Sequence, residues 1–243
     1  MRPAFAALAT AFVLTCCTLP ASADNAGSGG APLLGQLQRM APDADPQVIA
    51  LALEAAQCAS ASGSITPPKR LAVIDYSRPS TERRLWVFDL ASPRLLYSEY
   101  VAHGRASGEN LATAFSNTDS SHQSSLGLFA TAETYTGHNG LSLRMDGLEP
   151  GFNDRARDRA IVMHGADYVN PETAQRQGRL GRSFGCPAVR QAVAPAMIDA
   201  LKGGQLVFAY YPDQRWLTQS KFFRCHANLA TANTTGGRPG GSR

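Results

Sequence analysis

The stretch LAVIDYSRPSTERRLWVFDLASPRLLYSEYVA, from Leu71 to Ala102, decides the class of fold. It holds three short apolar runs, Leu71–Tyr76, Leu85–Leu90 and Leu95–Ala102, separated by Ser, Pro, Thr and Arg residues. Runs of this length, rich in β-branched and aromatic side chains and bounded by turn formers, read as strands. Toward the C-terminus the pattern returns at Leu126–Thr134, Leu141–Met145, Ala160–His164 and Gln205–Tyr211. Seven short strands with few long helices predict a mainly β sandwich or barrel. One helix interrupts them at Ala194–Lys202, entered at Pro195 and stopped by Gly203-Gly204.

Toward the N-terminus, Ser60–Pro68 is turn-rich and marks a boundary. Before it, Asp45-Pro46 is a cap and first-turn pair, and Val48, Leu51 and Ala55 recur at helical spacing. An N-terminal helix over residues 46–58 follows, ending on Cys58. Asp24–Ala31 is Gly/Ser-rich and reads as a flexible lead-in. The first residues read as an export address: Arg2, an apolar stretch from Ala4 to Leu19, Pro20, and the small-residue site Ala21-Ser22-Ala23. That stretch is short for a membrane span. Thr15 before Cys16, and Cys16 before Cys17, are poor contexts for lipidation. The predicted organisation is a signal peptide over 1–23, a lead-in plus helix over 24–68, the main β domain over 69–226 and a polar, Gly-rich, disordered tail over 227–243. The expected location is the periplasm or cell envelope, with no membrane span.

The formal charge of +4, without a basic run interleaved with aromatics, gives no argument for a nucleic-acid partner. Cysteine usage is more telling. Of five cysteines, Cys16 and Cys17 leave with the signal, so Cys58, Cys186 and Cys225 remain. Structural cysteines pair in an oxidising compartment, and an odd number leaves one thiol over.

The densest chemical cluster is GRLGRSFGCP, Gly178 to Pro187. Its glycines let the backbone turn sharply, and Pro187 suggests that Cys186 caps a short helical turn. A thiol there, near Arg182 and Arg190, is expected to have a lowered pKa and to be nucleophilic. A small buried cysteine in a tight turn accounts for the same residues. The second element is His164, which ends an apolar run and is therefore expected at a rim, where it would serve as base. A lone histidine is otherwise usually structural. Gly181-Arg182-Ser183-Phe184-Gly185 also matches the G-x-S-x-G elbow of serine hydrolases, with Asp199 or Asp213 and His226 downstream. That elbow needs a buried strand running into it, whereas Ala174–Arg179 is polar. His103, His122 and His138 are scattered without metal-site spacing, so neither metal nor cofactor is expected. Gly104–Ser125 is long and polar, and reads as a substrate-facing loop or lid.

His164-Gly165 followed by Gly181-Arg182-Ser183-x-Gly185-Cys186 resembles the signature of the murein L,D-transpeptidase catalytic family. The likeness extends to AVIDYS (72–77), RLWVFDL (84–90), VAHGRASGEN (101–110), FSNTDSSHQSSLG (115–127) and GFNDRARDRAIVMHGADYV (151–169). The resemblance implies an L,D-transpeptidase-like β fold and a thioester formed on Cys186. Cys186 would attack the bond between the L-centre of a diamino acid and a terminal D-alanine in a peptidoglycan stem peptide. His164 would return the proton to the leaving amine. A second stem amine would then accept the acyl group. Ser183, Gly165 and Gly185 would support the site, with the amides of Gly185 and Cys186 as oxyanion donors. Two positions depart from the common form: Phe184 stands where histidine is usual, and Ala188 where Arg or Asn is usual. Arg182 or Arg190 is therefore expected to hold the terminal carboxylate. If Cys186 stays free, Cys58 and Cys225 should pair. The same Cys/His chemistry ending on water would make an L,D-carboxypeptidase or cross-link hydrolase. A non-catalytic wall-binding module is the alternative from another class.

Overall fold

The computed structural model describes residues 30–223 and Cys225. The export address over 1–23 and the tail over 227–243 lie outside the described residues. Nine strands form one mixed sheet: β1 (Arg70–Asp75), β2 (Leu85–Asp89), β3 (Arg94–Glu99), β4 (Val101–Ala102), β5 (Gly127–Gly137), β6 (Gly140–Gly147), β7 (Val162–Ala166), β8 (Ala188–Arg190) and β9 (Leu206–Tyr210). Their spatial order is β3-β2-β1-β9-β5-β6-β7-β8-β4. The two outermost strands, β3 and β4, are separated in sequence by Tyr100 alone. The sheet must therefore curl until its edges nearly meet, which makes it a nearly closed barrel and removes exposed edges. Among the described strands only β1–β9 and β7–β8 pair in parallel.

All seven expected strands are present. The run Leu95–Ala102, read as one strand, is two, and they lie on opposite edges of the sheet. Burial explains the calibre of the central runs: every residue of β2 and β7 is buried, so both faces of each are covered. Trp86, Phe88, Phe129, Phe208 and Trp216 fill the interior.

Among the described residues, five helices pack around the sheet: α1 (Gly30–Met40), α2 (Pro46–Ala61), α3 (Pro171–Gln177), α4 (Ala194–Leu201) and α5 (Gln214–Gln219). Gly30 and Ala31, expected in a flexible lead-in, open α1. Asp45 caps α2 by accepting the Gln47 amide at 2.7 Å. Val48, Ile49, Ala52 and Ala56 of α2 join the same core as β1 and β9, so this helix belongs to the barrel. After α4, Gly203 and Gly204 take φ values of 74° and 82°, which only glycine adopts without strain. Their amides donate to Ala132 and Thr131, and the chain turns into β9. A disulfide joins Cys58, near the end of α2, to Cys225, with Cα atoms 5.5 Å apart. No helix among the described residues is long and apolar enough to cross a membrane.

Candidate active site

The site is built where two parallel strands begin. In the β7–β8 pair, His164 lies opposite Ala188, and the His164 amide donates to Pro187 O at 3.4 Å. Cys186 therefore sits at the entrance to β8, beside the start of β7. Its Sγ accepts from the Val162 amide at 3.5 Å and lies 3.7 Å from Ala160 O. Cys186 is the free cysteine of the described chain, and it is half-buried. The expected helical turn is absent, because Pro187 leads into a strand. The consequence is electrostatic. Burial pushes the thiol above its ordinary value, opposed by the Val162 amide and by the positive charge of Arg159. Arg182 and Arg190 play no part in this.

His164 is the third residue of β7 and only 3% exposed, so it is not at a rim. Its Nδ1 lies 2.9 Å from Gly165 O. A carbonyl only accepts, so Nδ1 carries the proton and Nε2 holds the lone pair. Burial holds the imidazole below its usual range and keeps it neutral. The backbone carbonyl that orients the base is thus its own neighbour's, fixed because Gly165 is pressed against α4. A Cβ at Gly165 would lie 2.8 Å from the Cβ of Ala194. Cys186 precedes by two residues the Ala188 that lies opposite His164, and no hydrogen bond joins the two side chains. Such bonds are often long in an enzyme without substrate.

Ser183 braces the loop before the cysteine. Its Oγ donates to Cys186 O at 2.7 Å and accepts from the Gly185 amide at 3.0 Å. This divides the two amides expected at the oxyanion. The Gly185 amide is occupied and cannot serve as an oxyanion donor. The Cys186 amide, for which no acceptor is found among the described residues, can. Ser183 is 6% exposed and spends its hydroxyl on the backbone, which removes it as a nucleophile. His226, the base that a serine mechanism would need, lies outside the described residues. Gly185 has φ of 125°, and a Cβ there would lie 2.8 Å from Gln123 O. Glycine is obligatory at that position.

Neither arginine expected to hold a carboxylate is free. Arg182 Nη1 pairs with Glu109 at 2.7 Å and also donates to Gly108 O. Arg190 is clasped by Glu99, with Nε 2.8 Å from one carboxylate oxygen. Two arginines that the sequence reading passed over hold the loops around Cys186. Arg159 anchors the 116–125 segment, donating to Ser116 O and Gln123 O, each at 2.7 Å, and to the hydroxyls of Ser121 and Ser125. Arg105 lies over the Phe184 ring, 4.5 Å from its centroid. The segment 104–125 is thus pinned by Arg159 on one side, while Ser124 Oγ donates to Gly185 O on the other.

A family model described as the L,D-transpeptidase catalytic domain matches residues 40–210. The chain belongs to that family. No curated protein matches it. Several solved structures are similar to it. LdtMt1, an L,D-transpeptidase in complex with imipenem, is 14% identical over 58% of this chain and 59% of its own, with a TM-score of 0.35. An L,D-transpeptidase from Mycobacterium smegmatis is 13% identical over 59% of each chain, with a TM-score of 0.37. One from Stackebrandtia nassauensis is 12% identical over 80% of this chain and 98% of its own, with a TM-score of 0.36. The chain thus spans about three fifths of the length of the first two.

Proposed function

We propose that this protein is an exported L,D-transpeptidase that uses Cys186 as nucleophile and His164 as its base on peptidoglycan stem peptides. The observation that carries the reading is the free thiol of Cys186 at the entrance to β8, two residues before the Ala188 that lies opposite His164, while the other two mature cysteines are bonded to each other. A disulfide also suits an oxidising compartment such as the periplasm.

The thiol is raised and the imidazole lowered, so the resting pair is neutral. Nε2 of His164 takes the thiol proton as Sγ attacks the carbonyl carbon on the L-centre of the donor stem. The C–N bond to D-alanine breaks, and the imidazolium returns its proton to the leaving amine. A thioester on Cys186 remains. The amine of a second stem attacks it, loses a proton to His164 and takes the acyl group, which restores the thiol. The Cys186 amide is placed to donate to the tetrahedral oxyanion, a contribution that is commonly large.

Incubation with tetrapeptide muropeptides followed by mass spectrometry tests this. Cross-linked dimers, lost entirely in Cys186→Ala, are the expected result. Tripeptide product alone would assign hydrolysis to the same thioester. No turnover and no thioester on Cys186 would leave the wall-binding reading in its place.

A further inference from the structure

With Arg182 and Arg190 both engaged, a cation along the cysteine loop that no carboxylate holds among the described residues is Arg105. Its backbone runs along the cysteine loop: Gly104 bridges Ser183, and the Arg105 amide donates to Ser183 O at 2.8 Å. Its guanidinium rests on the Phe184 ring, and Nη2 lies 3.0 Å from His122 Nδ1. His122 in turn packs against Phe184 with ring centroids 4.7 Å apart. Among the described residues no carboxylate pairs with Arg105, and its Nε and Nη1 donors have no partner.

Two features set this trio apart from an ordinary surface arginine. Phe184 is 62% exposed, two residues before the nucleophile, where an apolar ring gains nothing from water. His122 has φ of 53°, a conformation that side chains other than glycine rarely adopt. Strained positions of this kind persist where the surroundings enforce them, and they gather at ligand clamps. Here the enforcement comes from the segment that Arg159 pins. An exposed guanidinium usually loses rotamer freedom on binding, but this one is already held by a ring and an imidazole.

We infer that Arg105, seated on Phe184 and His122, is the subsite for the terminal carboxylate of the donor stem peptide. The inference rests on the donor reading above. That carboxylate lies one residue beyond the attacked carbonyl, and a planar guanidinium with free Nε and Nη1 donors can clasp both its oxygens.

Equilibrium binding separates this subsite from the chemistry. Cys186→Ala and Cys186→Ala/Arg105→Gln are titrated calorimetrically, at low salt, with a tetrapeptide stem ending in D-alanine and with its C-terminal amide. The Cys186→Ala protein is expected to bind the acid about tenfold more tightly than the amide. Arg105→Gln is expected to weaken the acid about tenfold and leave the amide unchanged, with no change in melting temperature. Arg105→Lys should recover only part, because an ammonium neither forks nor stacks as a guanidinium does. Acid affinity unaffected by Arg105→Gln, equal weakening of acid and amide, or no binding of either peptide overturns the inference. Arg105-dependent binding of the acid by a protein whose wild-type form makes no thioester would uphold the subsite and overturn the acyl-transfer reading instead.

Discussion

At the scale of single residues, the site is tuned by burial more than by neighbouring charge. A thiol raised by desolvation and an imidazole lowered by it give a neutral pair at rest. Iodoacetamide alkylation of native Cys186, followed against pH, should therefore reach half-maximum above the ordinary thiol value of about 8.5. Arg159 is the cation opposing that rise, so Arg159→Gln should move the midpoint further up. Arg159→Lys should leave it close to wild type while loosening the 116–125 segment. A midpoint that Arg159→Gln does not move would show the arginine to be an anchor alone. His164→Gln retains the strand but removes the lone pair on Nε2, and single-turnover acylation should fall by about 10²- to 10⁴-fold. These two effects are separable, because only the first depends on charge facing the sulfur.

At the scale of elements, the turn that delivers Arg159, Ala160 and β7 hangs on a buried polar knot. Glu149 accepts from the Leu128 amide at 2.7 Å and from the Trp216 indole at 2.9 Å. Asn153 donates to Leu128 O at 3.0 Å and accepts from the Glu149 amide at 2.8 Å. Fully satisfied buried networks are stabilising, whereas removing one member leaves others unpaired. Asn153→Ala should cost about 2–3 kcal/mol in urea unfolding and raise proteolysis within 148–161. None of this was legible in the sequence, because Glu149 and Asn153 sit in a stretch with no period, and their partners are remote in the chain. The strands were legible for the opposite reason, since Leu85–Asp89 and Val162–Ala166 are buried on both faces and read as unbroken apolar runs. β8 was missed because Ala188–Arg190 is too short to show a pattern. α3 and α5 were missed because they are short, and what holds α5 in place is Trp216 in the core; α1 was missed because it opens in a Gly-rich stretch and carries Gly35 inside it. For the site, Cys186 and His164 stood out by chemistry and spacing, but pairing of Arg182 with Glu109, and of Arg190 with Glu99, depends on strand order that no local pattern carries.

At the scale of the whole molecule, two features couple distant parts of the chain. The Cys58–Cys225 bridge ties α2 to the C-terminal segment across 167 residues. On the chain-entropy model such a closure stabilises by about 4–5 kcal/mol. Replacing both cysteines by serine should lower the melting temperature by about 10 °C, at about 2–4 °C per kcal/mol for a chain of this size. The second feature is His103, fully buried between the start of β2 and the cysteine loop. Arg84 Nη2 lies 2.7 Å from its Nδ1, and its backbone carbonyl accepts the Ser183 amide. Burial first, and then the Arg84 charge, hold its pKa down to about 4. The folded state thus refuses a proton that an unfolded histidine accepts at about 6.5. The unfolded state binds more protons between those values, so stability falls as pH drops from about 6.5 to about 4, by about 3 kcal/mol in all. His164, also lowered, acts in the same direction. Asp75 and Glu149, both raised by burial, act in the opposite one. A variant comparison isolates the histidine: His103→Asn keeps an acceptor for Arg84 but cannot titrate. Urea unfolding of wild type and His103→Asn across this range should show a steeper acid loss in the wild type, with the gap closing toward pH 4. Parallel slopes would move the acid sensitivity elsewhere.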